Sequence, residues 1–96
     1  MKNNQKKFLR SLAHSLKPII LIGQNGLTDG VLSELENTLA VHELVKIKMR
    51  CEDKEEKQQN IDNIIKYTNA KLVQVVGGVL VIYRAFTEDP VIRLPK

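Results

Sequence analysis

Residues 18–49 read PIILIGQNGLTDGVLSELENTLAVHELVKIKM, and their patterning decides the fold. Ile19 to Ile22 is a run of large aliphatic residues, too short for a helix and apolar on both faces, which predicts an interior strand. Gly23-Gln24-Asn25-Gly26 breaks it. Thr28 stands where an N-cap would, with Asp29 in the first turn, where a helix dipole favours negative charge. Val31, Leu32, Leu35 and Leu39 follow at helical spacing, with Glu34, Glu36 and Asn37 off that stripe. From Leu44 to Cys51 the period shortens to two. Val45, Ile47 and Met49 alternate with Lys46, Lys48 and Arg50, giving a strand with one apolar and one basic face. Strand, helix, strand predicts a parallel pair with a right-handed crossover.

Upstream, Phe8, Leu9, Leu12, Ala13 and Leu16 form one face of an amphipathic helix over residues 5–16, closed by Lys17-Pro18. Downstream, Asp53-Lys54-Glu55-Glu56 has the form of a capping box, and Ile61, Ile64 and Ile65 continue as a helix with polar early turns that overhang the sheet. Leu72–Val76 and Val79–Tyr83 are two strands joined at Gly77-Gly78, a two-residue hairpin turn. From Ala85 on, Pro90 and Pro95 predict an irregular surface tail or a short edge segment. The order is α-β-α-β-α-β-β, with strand–helix–strand occurring twice, which predicts two parallel pairs with right-handed crossovers. It predicts a two-layer α/β sandwich with a mixed four-stranded sheet, with the second and third helices on one face or folded around an end. Residues 1–96 read as a single domain without repeat or linker.

Composition narrows the function. The 96 residues carry 15 Lys+Arg against 11 Asp+Glu, a formal +4. Residues 1–26 hold Lys2, Lys6, Lys7, Arg10 and Lys17 and no acid, whereas residues 27–45 hold Asp29, Glu34, Glu36 and Glu43 and no Lys or Arg. Blocks of this kind create a signed field and point to an anionic partner such as nucleic acid. The single Cys51 excludes a disulfide scaffold and multi-cysteine metal sites. No apolar run approaches the roughly 20 residues that cross a bilayer, and no signal-peptide core is present. The expectation is a soluble cytoplasmic protein with no membrane partner.

Gly23-Gln24-Asn25-Gly26 is the most informative tetrapeptide. It lies between a strand and a helix start, where backbone N–H groups are free, and its glycines allow close approach of a sugar–phosphate chain. G-x-x-G loops clamp single-stranded backbone in KH-type modules, but the same four residues also serve as an ordinary turn. Lys17 and the basic first helix are expected near the same end of the fold, which favours phosphate contact. The Lys46, Lys48 and Arg50 stripe is a second candidate, either bound to RNA or simply solvated. No P-loop or dinucleotide fingerprint is present. His14 and His42 lack ligand-spaced partners and Cys51 lacks a base, so no metal, cofactor, small-molecule substrate or catalytic site is expected. Of the aromatic residues only Tyr83 falls on a strand, so base stacking is not expected to dominate.

Three segments carry a family resemblance: LRSLAHSLKPIILIGQNGLTDGVLSELENTL (residues 9–39), HELVKIKM (42–49) and VQVVGGVLVIYR (73–84). The chain resembles the YhbY family of stand-alone bacterial CRM-domain (chloroplast RNA splicing and ribosome maturation) proteins. That resemblance implies a fold similar to the C-terminal domain of bacterial translation initiation factor three. It also implies RNA binding during assembly of the large ribosomal subunit, with rRNA of precursor particles as the partner. By position, the family's loop falls on Gly23, Gln24, Asn25 and Gly26, its Lys-Pro on Lys17-Pro18, and its basic helix on Lys6, Lys7 and Arg10. A monomer without catalytic activity is the expectation. The alternative is a protein–protein adaptor that uses an acidic face at Glu34, Glu36, Glu52 and Glu56.

Overall fold

The computed structural model describes residues 1–96 as α1 (Asn3–Ala13), β1 (Ile20–Ile22), α2 (Asp29–Val41), β2 (Leu44–Met49), α3 (Lys54–Thr68), β3 (Lys71–Val76) and β4 (Val79–Tyr83). Two of the helix starts are fixed by the expected caps. Thr28 Oγ1 accepts from the Val31 N–H at 3.2 Å, and the Asp53 carboxylate accepts from the Glu55 N–H at 3.1 Å. Asn69, in the left-handed conformation at φ 59°, ends α3.

The four strands lie in the order β1-β2-β4-β3. β1 runs parallel to β2, and β4 is antiparallel to both β2 and β3. The sheet is therefore mixed, as the element order predicts. The second expected parallel pair does not form: β2 and β3 point the same way, but β4 of the hairpin slips between them and pairs with both. β1 corrects one expectation: it is an edge strand, not an interior one. Only β2 pairs with it, and Leu21 on its second face is 69% exposed because no helix packs over it.

The sheet's two faces bury different things. On the first, Ile20, Ile22, Val45, Ile47, Met49, Leu80 and Ile82 pack under Leu35 and Leu39 of α2 and Ile61 and Ile64 of α3. On the second, Leu44, Val73, Val81 and Tyr83 pack under Leu9 and Ala13 of α1 and under Ile92 and Leu94 of the tail. The two-layer sandwich thus holds for the sheet with α2 and α3, and α1 adds a partial third layer behind it. A β-bulge fits β3 to this scheme. Leu72 pairs with Ile82 and Gln74 with Val81, which leaves Val73 as the extra residue. Val73 and Gln74 consequently share the second face although they are neighbours in sequence.

α1 ends at Ala13, before the expected Leu16, and buries only Leu9 and Ala13. Its C-terminal carbonyls find a partner in β2: the Lys46 ammonium donates to the oxygens of Ala13 (3.1 Å) and Leu16 (3.2 Å). A cation at this end complements the helix dipole. The tail is irregular, as expected, yet it is tied down. The buried Glu43 carboxylate accepts from the N–H groups of Phe86 (2.9 Å), Val91 (2.9 Å) and Ile92 (2.6 Å). Asn4 and Gln5 of α1 donate to the carbonyls of Lys96 and Pro95, both at 3.0 Å.

Candidate nucleic-acid interface

β1 ends at Ile22, and the chain turns through Gly23, Gln24, Asn25 and Gly26 before entering α2. The Gly26 N–H donates to the Gly23 carbonyl at 3.1 Å and closes the turn. Gly26 has φ +69°, a conformation that resists a side chain. Gly23 differs: its φ is ordinary, and a Cβ placed there meets nothing within 4 Å. Gln24 and Asn25 are exposed at the tip, and no protein acceptor takes their N–H groups. The turn thus presents two free backbone donors and two amide side chains.

Its neighbours come from the same end of the sheet. The Arg50 N–H donates to the Ile22 carbonyl at 2.9 Å, which sets Arg50 beside the start of the turn. Gln24, Arg50, Glu52 and Glu56 line one shallow depression. The Gly77-Gly78 hairpin completes this end, with the Gly78 carbonyl accepting from the Met49 N–H at 2.7 Å. Arg50 is therefore a cation beside the turn, and the carboxylates of Glu52 and Glu56 share its surroundings. The Lys46, Lys48 and Arg50 stripe does not act as a unit. Lys46 is half-buried and engaged in capping α1, Lys48 is exposed on the strand, and Arg50 lies just past the strand's end.

The basic segment 1–26 is split in space. Lys17 precedes β1 and the turn follows it, so they lie at opposite ends of that strand and not at one end as expected. α1 packs on the second face, whereas the turn leads into α2 on the first. Lys7, Arg10 and His14 are exposed and spaced i, i+3, i+7, which aligns them along one side of α1. Arg10 and His14 face Gln74, Val76 and Val79 across an open depression of about 540 Å³, whereas Lys6 is half-buried. What sequence reasoning missed is this depression with its exposed aliphatic residues. A signal existed in the hairpin's valines, Val76 and Val79, which exceed what one core needs.

The acidic residues do not form one face. Glu36 is bound to Arg84, whose guanidinium donates to both carboxylate oxygens at 2.8 Å. This hydrogen bonding holds the Glu36 carboxyl below its ordinary range, against the opposing pull of burial, and it pushes the Arg84 guanidinium up. Burial, with the nearby Glu43 charge, pushes the Tyr83 hydroxyl up. Glu34 lines a separate groove on α2, away from Glu52 and Glu56. Nowhere do three His, Cys, Asp or Glu side chains converge as metal ligands.

Residues 1–84 match the CRS1 / YhbY (CRM) domain family. An RNA-binding protein of Haemophilus influenzae is 47% identical over 96 residues, covering 100% of this chain and 96% of its own. The Bacillus subtilis protein named "Probable RNA-binding protein YqeI" is 34% identical over 91 residues, 95% of each chain. A solution structure of a hypothetical Staphylococcus aureus protein superposes with a TM-score of 0.84 at 35% identity, covering 99% of both chains.

Proposed function

Because the chain belongs to the CRS1 / YhbY (CRM) domain family, we propose that it binds RNA by its sugar–phosphate backbone at the Gly23–Gly26 turn. The observation that carries this is the exposed turn with two unpartnered N–H groups, set beside Arg50 in a chain whose relatives are named as RNA-binding proteins. A phosphate oxygen placed at Gln24 and Asn25 would meet backbone donors, side-chain amides and one guanidinium. Charge-assisted hydrogen bonds of this kind are the stronger class. Lys48, Lys7 and Arg10 would add contacts along an extended strand of RNA, with Lys6 and Lys17 further out. The bound RNA is rRNA of precursor large ribosomal subunits, and the protein acts in their assembly as a monomer in the cytoplasm. It binds and positions RNA and transforms no substrate.

Charge at position 25 tests the grip. Asn25→Asp should weaken RNA binding, and Asn25→Lys should strengthen it by about 1 kcal/mol at low salt and by less at high salt. Gly23→Ala isolates the close approach of a ribose–phosphate, because its extra methyl is free of strain in the protein. Gly26→Ala is the poorer probe, since its φ makes it disturb folding and binding together. Binding curves of both Asn25 variants that overlay the parent's would reduce the loop to a turn. Crosslinking in cells, with sequencing of the attached RNA, tests the ribosomal assignment: fragments drawn from all RNAs alike would refute it.

A further inference from the structure

The second face of the sheet holds a surface of which the reading above uses only the cations Lys48 and Arg10. α1 crosses this face over β3 and β2 and covers the half that carries Leu44, Val73, Val81 and Tyr83. On the other half, Leu21 pairs with Lys48, Lys48 with Val79, and Val79 with Val76. These four residues make one row across all four strands, about 14 Å long at ordinary strand spacing. Leu21 is 69% and Val76 61% exposed. Arg10 and His14 of α1 form the facing wall of the depression, Gln74 lies between, and no Asp or Glu lines it.

This surface combines bare aliphatic residues with cations and one amide, which restricts what it fits. An RNA duplex shows its phosphates outward and hides its base faces, so Leu21 and Val76 would gain nothing against it. An unpaired strand shows both. Its bases can cover the aliphatic side chains while its phosphates meet Lys48 and Arg10, and Gln74 can hydrogen-bond a base edge. The row's length suits the two or three nucleotides that four-stranded sheets hold in other RNA-binding modules. It ends at Leu21, two residues before the turn.

We infer that the uncovered row Leu21–Lys48–Val79–Val76, walled by Arg10, binds two or three unpaired nucleotides of RNA. The inference rests on the RNA-binding reading above and adds a preference for single strands.

The test uses the full chain with Leu21→Ser and Val76→Ser together, two exposed positions whose change leaves the core intact. Val91→Ser, 73% exposed in the tail, is the control for lost surface apolarity. Binding is measured to a 12-nucleotide single strand and to a 12-base-pair duplex across a salt series. The double variant should bind the single strand about fivefold more weakly with an unchanged salt slope, because no phosphate contact is lost. Its duplex binding should match the parent's. Lys48→Gln should flatten the single-strand slope by about 0.7. Single-strand binding by the double variant that overlays the parent's, or an equal loss with both RNAs, overturns the inference and leaves the row to a protein partner. If Asn25→Asp still weakens binding in that case, the RNA-binding reading stands. If the parent binds neither RNA, both fall.

Discussion

Glu36 shows how much a single partner can alter a residue's reading. By spacing it is a solvated acid on the outer side of α2. In the fold it receives both arms of Arg84, which also donates to the Thr68 carbonyl at 2.9 Å and so ties α2 to the end of α3. Its folded carboxyl titrates below the ordinary 4.5. The pair therefore adds stability above pH 4.5, and the contribution fades as pH falls through the lower folded value. The Glu36 side chain is 42% exposed, so solvent screening limits the effect to under about 1 kcal/mol. Urea midpoints of Glu36→Gln should fall below the parent's at pH 7, and the gap should narrow as the pH drops below 4.5. A constant gap across that range would mean that the charge is irrelevant. Nothing local announces this pair, since Arg84 lies 48 residues downstream. Leu35, one position earlier, was readable because its burial follows from helical period alone.

At the scale of elements, most of what periodicity can convey was readable. The seven elements, the Thr28 and Asp53 caps and the Gly77-Gly78 turn all follow from local pattern. The tail and the C-terminal end of α1 do not, because both are fixed by side chains far away in sequence. Lys46 reads as one tooth of a basic stripe, yet it holds the end of α1. Glu43 reads as one acid in a block, yet its buried carboxylate gathers three tail N–H groups. Glu43→Ala removes the only acceptor those donors have within the protein. It should cost about 3 kcal/mol in urea unfolding, at the upper end for one hydrogen-bonded charge. It should also speed amide exchange at Phe86, Val91 and Ile92 while the β4 amides stay protected. Exchange at those three positions that matches the parent's would show that Ile92 and Leu94 hold the tail by packing alone.

For the whole molecule, the sequence conveys the sheet's composition but not which face each helix covers. Amphipathic stripes state that a face is buried and are silent on which partner buries it. That is why the basic segment looked like one cluster with the turn, although α1 lies over the second face and Lys17 at the far end of β1. Strand order was equally hidden, and it carries a consequence for how the chain reaches this state. With β4 between β2 and β3, the sheet cannot be laid down strand after strand. α3 must deliver β3 two strand spacings from β2, about 9.6 Å, and the gap between them is worthless until β4 fills it. The pairing of Leu44 with Tyr83 closes a long loop, whereas the β3–β4 hairpin is local and forms within microseconds in isolation. The hairpin is then a preformed plug, and its insertion beside β2 is the slow, committing event. Gly77 has φ +57°, so Gly77→Ala strains the turn before any docking takes place. In stopped-flow refolding it should slow the folding limb and leave unfolding nearly untouched, a φ-value close to 1. A mutant that unfolds faster while folding at the parent's rate would instead make the hairpin the last piece to set.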